Sequence, residues 1–339
     1  MNPFFRLNKR GENKIMDLKT LKGNVVTRTI NDKILLYYGP PGTWKTTTAC
    51  GNPKTLLAAY EIGYKFIPGV KAVNMNNWHG LKDLVRQLDD PEVQELYDTV
   101  VIDTIGLAYK ACISFICARE GVTQIGKIPY GQGYGMAKDE FEKLIHKIPQ
   151  LGYGLIMIAH SNELDDEQNG YSVKVDVDKR PANVIKGMAD FILFARKEKK
   201  DGAEEGSDET AVYAYSETSN PNIEVKSRAR FFPKRILFTY DSIVKAVEDA
   251  VDKQDEFYGV KSVDEADFSV YQDQEVNLGD LQQEILSLAQ IFIGTEYEEN
   301  LNRILTRSLK GTRVSQTNKT HIPALYTVRD ELIDLQKGM

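Results

Sequence analysis

One stretch limits what this chain can fold into more than any other. The apolar segment Lys33–Tyr38 (KILLYY) runs directly into Gly39-Pro40-Pro41-Gly42-Thr43-Trp44-Lys45-Thr46, and a helix opens immediately after it. A buried strand, a glycine-bearing turn and a helix start bring backbone N–H groups together, and the helix N-terminus adds partial positive charge. This is the context and spacing of the Walker A motif. It predicts that Gly39, Pro40, Pro41, Gly42, Thr43, Trp44, Lys45, Thr46 and Thr47 cradle the phosphates of ATP. In that arrangement Lys45 neutralises the β- and γ-phosphates and the Thr46 hydroxyl serves Mg²⁺. The alternative, a turn-rich loop matching by chance, has the flanking strand and helix against it.

Trp44 stands where the motif usually has glycine. That position often demands a backbone conformation that glycine adopts cheaply and a bulky residue does not. Two outcomes are open: the loop relaxes into another geometry, or the strain is tolerated. A second element, Val100-Val101-Ile102-Asp103, is β-branched and ends in a carboxylate. Many buried strands end in Asp, but downstream of a Walker A motif the pattern reads as Walker B, with Asp103 supporting Mg²⁺.

Apolar strand patterns recur at Thr55–Tyr60, Val70–Val73, Tyr153–Ala159 and Phe191–Ala195. Between them lie helical patterns at Leu81–Leu88, Ile105–Arg119 and Met136–Ile148. Alternation of this kind predicts an α/β fold on a mainly parallel sheet. Ala211–Tyr215, Ile223–Ser227 and Arg235–Phe238 follow one another without helices and read as antiparallel edge strands, with Glu198–Thr210 an exposed hairpin tip. Past Asp241 the character changes. The segmentation is an extension over 1–32, a core over 33–240, a helix and acidic linker over 241–278, and a small helical C-terminal module over 279–339.

Bulk properties narrow the function. The chain has 339 residues and a net charge of -6, so any nucleic-acid site must be a local basic patch on an acidic body. No apolar run approaches the ~20 residues that span a bilayer, and Met1–Arg10 lacks the apolar region of a signal peptide. The expectation is a soluble, cytoplasmic protein with no membrane partner. Cys50, Cys112 and Cys117 are too few and too irregularly spaced for a disulfide framework or zinc cluster, and read as reduced, buried thiols.

Four pieces together, GPPGTWKTTTA, LLAAYEIGYKFIPG, TVVIDTI and GLIMIAH, resemble the phage-encoded RecA-like nucleotide-binding or single-strand-annealing ATPases. The likeness spans about Lys33 to Phe238. It implies a RecA-like P-loop NTPase core and ATP-driven handling of single-stranded DNA in recombination or replication. It also implies a self-oligomer, ring or filament. The AAA+ branch usually places Glu directly after the Walker B Asp, where this chain has Thr104. By the resemblance the catalytic carboxylate is instead Glu61, at the end of the neighbouring strand; otherwise Glu61 is a solvated loop residue before Gly63. His160 occupies the place of a polar γ-phosphate sensor, or is a satisfied structural histidine.

The same resemblance assigns two loops to single-stranded DNA. The first is Gly121–Gly135, where Lys127 can meet a phosphate and Tyr130 and Tyr134 can stack on bases; the alternative is an ordinary packed loop. The second, Ser161–Asn183, begins with Glu163, Asp165, Asp166 and Glu167, which argues against DNA, and offers only Lys174, Lys179 and Arg180 in favour. In Lys226–Arg235, Arg228 or Arg230 could complete a neighbour's site as an arginine finger, or belong to a solvated basic face. Arg303, Arg307, Lys310, Arg313 and Lys319 form a C-terminal basic stretch suited to DNA or protein docking. The competing functions are a ring helicase or packaging motor, a small-molecule kinase, and a non-hydrolysing nucleotide switch.

Overall fold

In the central strand β1 (Ile34–Gly39), alternate residues serve opposite faces of a sheet. Leu36 and Tyr38 join one hydrophobic core, and Leu35 and Tyr37 join the other. Such burial on both sides is what makes a parallel strand read as an unbroken apolar run. The chain was studied as a computed structural model, which describes residues 26–166, 170–204, 206–264 and 278–337.

Around β1 the strands β2 (Thr55–Ala59), β3 (Lys71–Asn74), β4 (Thr99–Asp103), β5 (Gly154–Asp166) and β7 (Phe191–Lys199) are parallel, in the order β3-β2-β4-β5-β1-β7. Beyond β7 the sheet continues with antiparallel β8 (Thr210–Tyr215) and β10 (Arg235–Leu237). The short β9 (Lys226–Ser227) pairs antiparallel with the start of β7. The predicted mixed sheet with antiparallel edge strands is therefore the observed one.

Helices cover both faces. One face carries α2 (Trp78–Gln87), α4 (Ile105–Arg119), α5 (Gln132–Gln150) and α6 (Lys179–Met188), packed through Leu81, Ile105, Phe141 and Ile185. Phe141 lies edge-on to Tyr109 and near-parallel to Trp78, with ring centroids 5.3 and 5.9 Å away. Burying side chains of this size stabilises by about 1.5–3 kcal/mol each. The other face carries α1 (Lys45–Ala49) and α7 (Tyr240–Tyr258). The short α3 (Pro91–Leu96), capped by the Asp90 side chain, was not anticipated from sequence.

Three expectations change. Ser161–Asn183 is not a loop: β5 runs on to Asp166 and returns antiparallel as β6 (Gly170–Val175), and α6 follows. Alternation of Val173 and Val175 with polar residues permits a two-stranded ribbon with one buried face. Next, the helix expected beyond the core, α7, belongs to the same unit as the sheet, because Ile243, Val247 and Val251 seal the second core. Finally, the described end of the expected N-terminal extension belongs to the same unit. Ile30 is buried in the second core, Thr27 bridges Val263, and Arg28 pairs with Asp252 at 2.8 Å. Most of the expected acidic linker lies outside the described residues.

The chain divides into two compact units, one over Asn24–Gln272 and one whose described part is residues 278–337. The second comprises α8 (Leu278–Gln290), α9 (Glu298–Leu309) and α10 (Ile322–Lys337) around Ile285, Phe292, Leu325 and Leu332. Its basic stretch is partly neutralised: Arg307 bonds Glu331, and Arg303 lies 3.9 Å from Glu299. Among the described residues, no helix is long and apolar enough to cross a membrane.

Candidate functional site

Because β1, β2, β4 and β5 are parallel and in register, their carboxyl ends meet. Gly39 aligns with His160 across β1 and β5, and Asp103 aligns with Ala59 and Ile158. The chain leaving β2 stays on Asp103, whose carbonyl accepts hydrogen bonds from the N–H groups of Tyr60 (2.6 Å) and Glu61 (3.1 Å). Four residues separated widely in sequence, Gly39, Glu61, Asp103 and His160, thus share one edge of the sheet.

The loop leaving β1 is built on left-handed conformations. Gly42 has φ 78°, and Trp44, the residue before α1, has φ 61° and ψ 23°. Trp44 therefore takes the conformation that glycine would take, at a cost of about 1–2 kcal/mol for a residue with a Cβ. Of the two outcomes open from sequence, the strain is tolerated, and the loop keeps its shape. Trp44 is 62% exposed, while the cradle's lysine is buried.

Lys45 is only 7% exposed. Its ammonium donates to the carbonyls of Gly39 (2.9 Å) and Pro40 (2.8 Å) and to Thr43 Oγ1 (3.3 Å), so it lies across the mouth of the loop. Burial pushes its pKa down to about 8, against the pull of the Asp103 and Glu61 carboxylates. Desolvation disfavours an ammonium, and the loop supplies no anion in direct contact. A polyphosphate beside it would favour the charged form, as a nearby opposite charge does for any ammonium.

The Thr46 hydroxyl donates to Asp103 Oδ2 at 2.6 Å. Asp103 is itself buried, which raises its pKa; the Thr46 bond, Lys45 and His160 act the other way, and Glu61 adds to the rise. A hydroxyl and a carboxylate held together beside a phosphate loop are the hard oxygen donors Mg²⁺ takes, with phosphates and water completing its shell. In keeping with so sparse a protein ligand set, the described residues contain no group of three or more His, Cys, Asp and Glu that could hold a metal alone. Thr46 and Asp103 thus fit the metal, and bound Mg²⁺ would supply charge neutralisation at the phosphates.

Glu61 and His160 face each other across Asp103, with His160 Nε2 3.2 Å from Glu61 Oε1. The other ring nitrogen, Nδ1, is buried without a partner. Both side chains stay partly open to solvent, as a group that orients an attacking water must be. Thr104, which stands where the AAA+ branch usually carries glutamate, caps α4 by accepting from the Leu107 N–H at 3.5 Å. The peptide bond between Asp103 and Thr104 is cis.

Other sequence candidates are not brought here. Arg228 lies at the opposite end of the sheet, where its N–H bonds the Asp190 carbonyl at 2.9 Å. Its guanidinium is held by the Asp190 carboxylate (2.9 Å) and the Gly187 carbonyl (2.8 Å). Asp190 also accepts from the N–H of Ile34, the first residue of β1, so roughly 17 Å of strand separates it from the cradle. Arg230 lies over the Phe257 ring, 4.7 Å from its centroid. Neither side chain reaches this chain's own cradle, because the basic run begins β9, which pairs with the start of β7; a finger role for either would be exercised on a neighbouring subunit. At the cradle end, β7 instead presents Arg196 and Lys197. The apolar pattern ends at Ala195, so the sequence alone does not mark them; the signal is a strand continuing through charged residues.

The first proposed DNA loop is partly ordered into turns and the first residues of α5. Lys127 is exposed and bonded to Thr123 Oγ1 at 3.1 Å. Tyr130 sits at φ 58° and is 97% exposed. Tyr134 differs: it packs on the core, and the Arg180 guanidinium covers its ring at 4.5 Å. The Tyr134 ring is thus engaged by a cation, while that of Tyr130 is open. Arg180 belongs to the same end of the sheet as the site, since nearby Asp176 donates to the His160 carbonyl at 2.9 Å.

No curated protein matches the chain significantly. Residues 31–254, from just before β1 into α7, match the family described as AAA domain. The matched span contains the phosphate loop, both metal-side residues and the Glu61–His160 pair. By that match and by the strand-end geometry that accompanies it, the chain belongs to the AAA domain family of P-loop nucleotide-binding proteins.

Proposed function

We propose that the protein is a Mg²⁺-dependent ATPase acting on single-stranded DNA as an oligomer, in phage recombination or replication. The observation that carries the enzymatic part is one juxtaposition. Thr46 and Asp103 are bonded at 2.6 Å, and Glu61 and His160 are paired 3.2 Å apart beside them, all on adjacent strand ends. In this reading Lys45 grips the β- and γ-phosphates, Thr46 and Asp103 hold the metal, and Glu61 orients water. His160 ties Glu61 to the strand beside the phosphate loop. The neighbour's cation comes from the basic run Lys226–Arg235, where Arg228 stands half exposed.

The DNA part rests on Tyr130, an outward aromatic at a loop tip with Lys127 close in sequence. Stacking on an exposed ring is sequence-tolerant, and a nearby ammonium follows the backbone. The test is ATP turnover with and without single-stranded DNA, repeated with Tyr130→Ala. Stimulation by single strands that Tyr130→Ala removes is expected. Turnover indifferent to DNA would remove the DNA assignment and leave the ATPase, and phosphate transfer to a small acceptor would favour a kinase.

A further inference from the structure

Beside the cradle opens a cleft of about 500 Å³, lined among others by Trp44, Thr47, Lys197, Val212, Phe238 and Tyr240. The volume suits a nucleoside-sized ligand, and a mainly apolar wall with a few polar groups is usual for such a pocket. Its position matters more. Thr47 belongs both to the first turn of α1, where phosphates would be held, and to the wall of the cleft. A nucleotide gripped by the loop therefore has this cleft available for the part that is not phosphate.

Trp44 is the feature the fold itself leaves unexplained. Its ring belongs to neither hydrophobic core of its unit, and its backbone holds a left-handed conformation that glycine would adopt freely. A strained, exposed aromatic earns nothing from packing. It does place a flat indole on the wall of the cleft, next to Thr47. Phe238, fixed edge-on against Tyr37 with centroids 5.2 Å apart, gives the cleft a rigid apolar floor.

We propose that the cleft is the base pocket of the nucleotide site, and that Trp44 is the platform on which a purine base stacks. The inference deepens the phosphate-cradle reading and rests on it. It assigns to Trp44 a ring function separate from the backbone function it shares with the motif's glycine. Stacking of a base on an aromatic side chain is strong enough for its removal to weaken binding about 5- to 150-fold.

The experiment measures binding of two probes, ATP and inorganic tripolyphosphate, to the wild-type chain, Trp44→Gly and Trp44→Phe. Trp44→Gly restores the residue best suited to this backbone, so loss of folding does not confuse the result. The expected outcome is ATP bound at least tenfold more weakly by Trp44→Gly, with tripolyphosphate bound as well as before or better, and near-normal ATP binding by Trp44→Phe. Indole emission should respond to ATP and not to tripolyphosphate. The only other tryptophan, Trp78, is fully buried and bonded to Glu140 at 3.0 Å, so it contributes a constant background. Unchanged ATP binding by Trp44→Gly overturns the base-platform assignment while leaving the cradle standing. Equal loss of both probes also overturns it, since Trp44 would then act only on loop shape. If the wild-type chain binds neither probe, the cradle reading fails and takes this inference with it.

Discussion

Lys45 gives the sharpest quantitative consequence. Its ordinary pKa of 10.5 falls to about 8 because the ammonium is buried against carbonyls. At ~1.4 kcal/mol per tenfold change in proton affinity, folding disfavours the charged form by about 3 kcal/mol. The unfolded chain therefore binds more protons than the folded one between pH 8 and 10.5, and stability must rise with pH in that window. Between pH 7.5 and 9.5 the ammonium alone contributes a gain of about 2 kcal/mol. The Cys50 and Cys112 thiols, which burial pushes up to about 12, act in the opposite direction. Their effect is common to wild type and Lys45→Met, so comparing the two isolates Lys45. The assay is urea unfolding of both proteins at the two pH values. The expected result is a wild-type gain exceeding that of Lys45→Met by about 2 kcal/mol. Nucleotide affinity must move the other way, because phosphates need the charged ammonium: ATP binding should weaken about 25-fold from pH 7.5 to 9.5. A pH-independent difference between the two proteins, or ATP binding flat across the window, would refute the buried-ammonium reasoning.

Glu61→Gln should keep ATP binding and lower turnover by about 10²-fold or more, read from single-turnover rates beside equilibrium binding. Arg228→Ala should lose only about 0.5–1 kcal/mol of stability, since its bond to Asp190 is largely exposed, and as the neighbour's cation its loss should lower turnover by about 10³-fold. Turnover within about twofold of wild type would remove Arg228 from the catalytic account. Gly39→Ala places a Cβ 2.2 Å from the Ala195 carbonyl oxygen at φ 155°, so the β1–β7 pairing must open. A cost of about 3 kcal/mol or more is expected, seen as a melting temperature lower by roughly 6–12 °C.

The sequence made the parallel sheet legible because its strands are apolar on both faces. KILLYY, TVVID and GLIMIA are unbroken runs between turn residues, and each became a central strand. The cradle was legible for the same reason: motif, strand and helix coincide. What escaped were elements whose pattern depends on tertiary neighbours. The charged continuation of β5 past His160 finds a partner only when β6 folds back on it, and nothing local marks the pairing. Arg196 looks like a surface charge until β8 extends β7 beneath it. Tyr134 and Tyr130 stand four residues apart in one glycine-rich stretch, yet Arg180 from α6 covers one and leaves the other bare. The charge density around Arg228 is visible in sequence, but the end of the sheet it occupies is not.

The central claim is that amide donors of residues 42–46 and the Lys45 ammonium hold a triphosphate beside Thr46 and Asp103. An experimental structure of the protein with Mg²⁺ and a slowly hydrolysed ATP analogue tests it most directly. The account expects Lys45 to leave the carbonyls of Gly39 and Pro40 for the phosphates, with the metal next to the Thr46 hydroxyl. Phosphates bound elsewhere, with Lys45 still on those two carbonyls, would contradict it.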